Sequence, residues 1–274
     1  MRASFYIERR RVGIAGLWLL AAAAVGMPAA SAQTTPDTTA ERPVSWKQVV
    51  PNILHDQRPI WLFPAHVAQG QHWKPALAVT LTTAGLVALD PHDTPYFRRT
   101  SSFSGFNRAL TGRNTAIGMA AVPGAFYLVG LARHSRDDQS SALLSGEAVA
   151  DSELLALVMK DVDRRLRPSE IPPNGDFAHT WFKSHGTLIN GENAGFPSGH
   201  TIAAFAIATV FAERYGPKRH EPGSARRRWV PWVAYGLASL VGFSRVTQQA
   251  HFPSGTFAGA ALGYFIAHGV VLQH

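Results

Sequence analysis

The chain has 274 residues, 46% of them hydrophobic and 16% charged, with a formal net charge of +8. That size and apolar content fill one substantial domain and exclude a disordered chain. No cysteine is present, which excludes disulfides and thiolate chemistry.

The first segment has the layout of an export signal. IERRR is a basic stretch, VGIAGLWLLAAAAVG is an apolar one, and Ala30-Ser31-Ala32 is a small-residue cleavage site. A signal peptide is therefore expected over residues 1–32, with an uncleaved anchor helix as the alternative of overlapping composition. Either form carries the protein out of the cytoplasm. Residues 1–32 hold four arginines against one glutamate, which leaves a charge of +5 on the remainder. A surplus of that sign fits an acidic or phosphorylated substrate, or a membrane surface.

Residues 33–58 are polar and rich in Thr and Pro, so a tether is expected over residues 33–74, ahead of a helical domain over 75–274. Apolar or amphipathic segments follow at 76–89, 115–132, 143–166, 200–213, 229–243 and 255–272. Ala, Leu, Gly and Phe dominate them, and no long run alternates with period two. The expected class is all-α, a bundle of about six helices with the site in interhelical turns at one end. The connection 168–197 is long and rich in Pro, Gly and Asn, as functional loops often are.

Three clusters carry chemistry. In the 143–166 helix, Glu153, Lys160 and Arg167 recur every seven residues, so all three are expected on one helical face, with Pro168 as the stop. Two cations there can grip an anion; the same stretch also fits a solvated basic helix end. Next, Pro197-Ser198-Gly199-His200 forms a tight turn into a helix. The unpaired N–H groups and positive dipole end of that helix make a phosphate seat, and His200 can donate a proton to a leaving oxygen. A plain helix cap with an exposed histidine fits as well. Finally, in SRVTQQAHFPSG, Arg245 and His251 are expected in one interhelical turn. Arginine suits phosphate oxygens, and a neutral histidine can attack phosphorus.

Read in order, Lys160, Arg167-Pro168, Pro197-Ser198-Gly199-His200, Ser244-Arg245 and His251 resemble the tripartite signature of the type 2 phosphatidic acid phosphatase superfamily. That superfamily shares its fold with vanadium haloperoxidases and bacterial non-specific acid phosphatases. The resemblance covers roughly residues 115–272. It implies a helical bundle and a phosphomonoesterase that needs no metal or other cofactor. It also implies His251 as the nucleophile that becomes a phosphohistidine, and His200 as the acid that protonates the leaving alcohol. Lys160, Arg167, Ser198, Gly199 and Arg245 would hold the phosphoryl oxygens. The implied partner is a phosphorylated lipid or a small phosphomonoester, with membrane association and no nucleic acid.

One signature residue differs. Four positions after the nucleophile the family has an aspartate that orients the histidine, and this chain has Gly255. In serine-protease triads, exchanging the orienting Asp for Asn lowers turnover about 10⁴-fold. Ser254, a backbone carbonyl or Glu153 would have to serve instead, and Gly255→Asp is expected to raise turnover if the glycine has an ordinary φ. Three classes follow: an exported phosphatase, a phosphate-binding pseudoenzyme, or a vanadium haloperoxidase. The histidines of AHTWFKSHG (His179, His185) and Asp90, His92 and Asp93 of DPHDT lack metal-ligand spacing and are expected in surface loops. The basic loop 216–229 lies opposite the three motifs. If the bundle spans a bilayer, that loop is cytoplasmic and the site faces outward, provided 76–89 does not cross.

Overall fold

The computed structural model describes residues 42–184, 194–217 and 227–274. The expected signal peptide lies outside the described residues, as do His185 and most of the basic loop 216–229. Among the described residues there are eight α-helices and no strand. They are α1 (Val49–Ala68), α2 (Trp73–Arg99), α3 (Ser104–Ala109), α4 (Gly112–Ala132), α5 (Arg136–Asp163), α6 (Gly199–Tyr215), α7 (Trp229–Thr247) and α8 (Pro253–Leu272). A single 3-10 turn, Pro168–Glu170, follows α5.

The bundle is built around α6. Every residue from Thr201 to Ala212 is buried, because the helix is apolar on all sides and is packed by α8, α7 and α5. Its contact with α8 is unusually close. Gly255, Gly259 and Gly263 recur every four residues along one face of α8. A methyl group at Gly259 would lie 2.7 Å from the Ser198 carbonyl oxygen, and one at Gly263 would lie 2.3 Å from that of Ile202. Only glycine admits backbone at that separation. Below the site, Leu144 and Ala148 of α5, Ala206 and Val210 of α6, and Ala267 and Val270 of α8 close the core.

Helix ends follow local chemistry. Ser135 caps α5, its Oγ accepting from the Asp138 N–H at 3.3 Å, with Asp137 and Asp138 in the first turn. Arg164, at φ 40°, turns the chain out of the helix. Arg167 therefore stands in extended backbone, not on the face shared by Glu153 and Lys160, which corrects the expected helix over 143–166. The helix expected over 229–243 runs on to Thr247, which puts Arg245 in its last turn.

The expected tether is also corrected. From Val49 onward it is helical, and α1 was illegible because its polarity is inverted: Asn52 and Asp56, one turn apart, are buried, whereas Leu54, Trp61, Leu62 and Phe63 are exposed. The segment expected at 76–89 is the 27-residue α2, so shortness is no reason for it not to cross a membrane. Within it Asp90 is fully buried, not on a surface loop.

Candidate active site

A cavity of about 340 Å³ opens where α5 ends, α6 begins and the α7–α8 turn passes. Its walls are Ala116 and Met119 of α4, Glu153 and Lys160 of α5, Arg167, then Gly199, His200 and Ala203 of α6, and His251. Lys160, Arg167, Gly199, His200 and His251, distant in sequence, thus share one space. Ser198 and Arg245 stand one layer behind. Ser198 is fully buried, its Oγ accepting from Thr201 Oγ1 at 2.8 Å. Arg245 donates through Nε and Nη2 to Ser244 Oγ at 3.0 and 2.8 Å, and through Nη2 to the Leu110 carbonyl. Its Nη1 abuts Gly112, at 3.2 Å from where a Cβ would sit. The carbonyl of Gly112 in turn accepts from His200 Nε2 at 3.0 Å.

The cavity has the electrostatics of an anion site. Lys160 and Arg167 both present cations, and the buried Nε of Arg167 has no hydrogen-bond partner among the described residues. A buried guanidinium donor without an acceptor is costly unless a ligand supplies one. Glu153 is the exception among the charges, with a carboxylate oxygen 4.0 Å from Lys160 Nζ.

His251 is buried, and its Nδ1 lies 2.9 Å from the carbonyl oxygen of Gly195. A carbonyl only accepts, so Nδ1 carries the proton and Nε2 keeps its lone pair. Burial pushes the pKa of this imidazole down to about 3. Arg167, Lys160 and His200 act in the same direction, and the Gly195 hydrogen bond opposes them. It is therefore neutral at physiological pH. Burial also lowers the pKa of His200, the Gly112 hydrogen bond opposing and the cations Arg245, Lys160 and Arg167 reinforcing.

Gly195 is itself held. Its N–H donates to the Arg165 carbonyl at 2.6 Å, and a methyl group on it would lie 2.5 Å from the Leu166 carbonyl oxygen. Glycine is required at that approach. The Arg165 side chain is almost fully buried between Phe252, with its guanidinium carbon 3.9 Å from the ring centroid, and Trp181, at 4.4 Å. It donates to Asp90 Oδ2 at 2.7 Å, Ser254 Oγ at 2.8 Å and Thr180 Oγ1 at 3.1 Å. Asp90 also accepts the Ser254 backbone N–H at 3.1 Å, so a carboxylate from α2 satisfies an end group of α8. Ser254 thus anchors the helix and does not orient His251.

Phe196-Pro197-Ser198-Gly199 and Phe252-Pro253-Ser254-Gly255, two copies of one tetrapeptide, meet at this point. The Ser198 N–H donates to the Gly255 carbonyl at 3.0 Å. The first copy caps α6 with Ser198, whereas the second places Pro253 as the first helical residue of α8. Sequence reasoning passed over Arg165, Gly112 and Gly195, and expected Asp90 in a surface loop. Arg165 lay two residues before a motif arginine, which is a weak signal; the others carried none. Glu153 was expected on the face of Lys160 and as one candidate to orient His251; it lines the cavity, but the Nδ1 partner of His251 is the Gly195 carbonyl.

A second buried polar cluster lies elsewhere. Asp56, Glu147 and His274 bring ligand atoms within 4.8 Å of one another. They are already matched, Asp56 by Arg42 and Glu147 by the imidazole of His274 at 3.0 Å. His179 is exposed and pairs with Asp176.

Fold and site together are an all-helical bundle with two histidines and two cations lining one cavity. Residues 141–274, just under half of the chain, match the family model of the PAP2 superfamily. Lipid A 1-phosphatase of Porphyromonas gingivalis is 34% identical over 92 residues, 34% of this chain and 18% of the relative. Lipid A 1-phosphatase of Rhizobium etli is 32% identical over 115 residues, 42% of each chain. Phosphatidylglycerophosphatase B of Bacillus subtilis is 31% identical over 120 residues, covering 42% of this chain and 51% of that one. The chain thus spans about half or less of the length of these relatives. A solved transmembrane PAP2-type phosphatidylglycerolphosphate phosphatase from Bacillus subtilis is 22% identical, with a TM-score of 0.42, covering 79% of this chain and 94% of that one.

Proposed function

We propose that this chain is an exported, membrane-associated phosphatase that hydrolyses a lipid phosphomonoester through a phosphohistidine on His251. The observation that carries the reading is the Gly195 carbonyl. It holds the Nδ1 proton of His251, the task the missing family aspartate would perform. Orientation without that aspartate favours an enzyme over a phosphate-binding pseudoenzyme.

His251 Nε2 attacks phosphorus, the ester P–O bond breaks, and His200 gives its proton to the departing alkoxide. A water then attacks the phosphohistidine, passes a proton to His200, and phosphate leaves. Burial, reinforced by the nearby cations, keeps His200 neutral; a phosphate dianion offsets the cations, which loads the acid with its proton on substrate binding. Lys160, Arg167 and the N-terminus of α6 at Gly199 take the phosphoryl oxygens, since phosphoryl transfer is mostly placement and charge stabilisation. Ser198 shapes that helix start, and Arg245 backs His200 through Gly112.

A lipid substrate fits the surroundings. Helix α4 contributes Ala116 and Met119 to the cavity, while Ile117, Val122, Phe126 and Leu128 of the same helix are exposed. An apolar chain can therefore lie along α4 with its phosphate inside. Helices α4 and α8 are long and apolar enough to cross a membrane, and α8 is the more buried of the two. The relatives named above act on lipid A and phosphatidylglycerophosphate, the two substrate types to try first.

The test is phosphate release from lipid A, phosphatidylglycerophosphate and p-nitrophenyl phosphate by wild type and His251→Ala. Release from at least one substrate, abolished by His251→Ala, is expected, together with a trapped phosphoenzyme that is acid-labile and base-stable. Undiminished release by His251→Ala would refute the assignment.

A further inference from the structure

Glu153 is out of keeping with an anion cavity. Its carboxylate lies against Gly199, the first residue of α6: a methyl group there would be 2.9 and 3.1 Å from the two carboxylate oxygens, and 3.2 Å from Lys160 Nζ. It also lines the cavity with His200 and His251 and lies 4.0 Å from Lys160. A helix N-terminus flanked by a lysine is where a phosphoryl group is most stabilised. Beside that place lies a carboxylate of the protein's own.

We infer that Glu153 is a proton-operated gate on the phosphate seat: its carboxylate lies against Gly199 at the start of α6, and it takes up a proton as a phosphate dianion enters. This rests on the reading of the cavity as a phosphate site. Two anions sharing one seat cannot both stay charged at low cost. Once protonated, the carboxyl becomes a donor to a phosphoryl oxygen, and Lys160 is released to the ligand. Burial already pushes the Glu153 pKa up, with Lys160 opposing, so the proton comes at modest cost.

The groups facing Glu153 are Lys160 from its own helix, Arg167 beyond it, His200 from α6, and His251 from the α7–α8 turn, with Arg245 behind His200. His251 stays neutral across the working range. His200 and phosphate itself also titrate, so the signature of Glu153 is the difference between wild type and Glu153→Gln. The sign is set by linkage. Phosphate raises the Glu153 pKa, so wild-type affinity is greatest when Glu153 is already protonated and falls as pH rises through the bound-state value.

The experiment titrates the full chain with inorganic phosphate by calorimetry at about pH 5.5 and about pH 8, in buffers of different ionisation enthalpy. The same titrations use Glu153→Gln and, as a second variant, Glu153→Ala. The gate predicts that Glu153→Gln binds phosphate roughly tenfold tighter at the higher pH, and about equally at the lower one. Wild type should take up as much as about one proton more per phosphate than the variant at intermediate pH. A folded Glu153→Gln with unchanged or weaker phosphate binding and unchanged proton uptake overturns the gate. His251→Ala separates the two readings: turnover lost in that variant while Glu153→Gln behaves as wild type leaves the phosphatase standing without its gate. No phosphate binding and no turnover in any form overturns the phosphatase and the gate together.

Discussion

The orienting acceptor for His251 is a main-chain carbonyl, and that changes what Gly255 means. Its φ is not in the left-handed region, so conformation alone would permit a side chain. Space does not: a Cβ at Gly255 would lie 3.0 Å from the Gly195 carbonyl oxygen and 3.3 Å from Phe196 Cδ2. An added carboxylate would push against the very oxygen that holds His251. Gly255→Asp is therefore expected to lower kcat/KM, on the order of tenfold or more, and to cost about 1–3 kcal/mol of stability by overpacking. This reverses the gain expected from the family signature, and steady-state kinetics with thermal melts checks it.

A second residue-scale prediction concerns pH. The depressed pKa of His251 means the unfolded chain, near 6.5, takes its proton before the folded one, at about 3. By linkage this group's contribution to stability is complete above the unfolded value and is lost as pH falls through that window. His251→Gln should flatten the acid limb of a stability-against-pH curve over that interval, measured by denaturant unfolding. An unchanged slope would mean the imidazole is not buried as described.

At the scale of the elements, the start of α8 hangs on one buried ion pair contributed from outside it. Asp90 of α2 and Arg165 beyond α5 meet at 2.7 Å, both nearly inaccessible, and together clasp Ser254. Removing one partner leaves an uncompensated buried charge. Arg165→Ala should therefore cost about 3–5 kcal/mol, whereas the paired change Asp90→Leu with Arg165→Met should recover much of that. Thermal melts test stability, and turnover tests position: the paired variant is expected to melt near wild type yet turn over poorly, because nothing then fixes the approach of His251. Full activity in the stable double variant would show that the clasp is purely structural.

At the scale of the whole molecule, polarity is arranged inside out on several helices. Polar Asn52, Asp56, Glu147 and Asp151 are buried, while Trp61, Leu81, Phe126, Trp232 and Leu237 are exposed. Apolar exposure on that scale marks a surface made for lipid or another apolar medium. The protein is expected to float with phospholipid vesicles and to need detergent in solution. Trp232, 82% exposed, should shift its emission to the blue on adding vesicles, and Trp232→Phe should remove that part of the change. Monodisperse behaviour without detergent and no vesicle binding would count against membrane association.

The residues alone determined the helical class and the identity of most cavity groups. Apolar runs of helical length and a fixed order of Lys, Arg, Ser-Gly-His and Arg-His are local in the chain, and both survive without knowledge of neighbours. What only the tertiary structure decided is non-local. Whether α1 is a helix depends on buried polar partners from α5, which no hydrophobic period can announce. That Arg167 leaves the helix follows from Arg164 turning left-handed so that its neighbour Arg165 reaches Asp90, 75 positions earlier. The acceptor for His251 is a backbone oxygen 56 residues away. Every residue has such an oxygen, so composition and spacing cannot single one out; only folding, by pressing Gly195 against Leu166 and Arg165, aims it at the histidine.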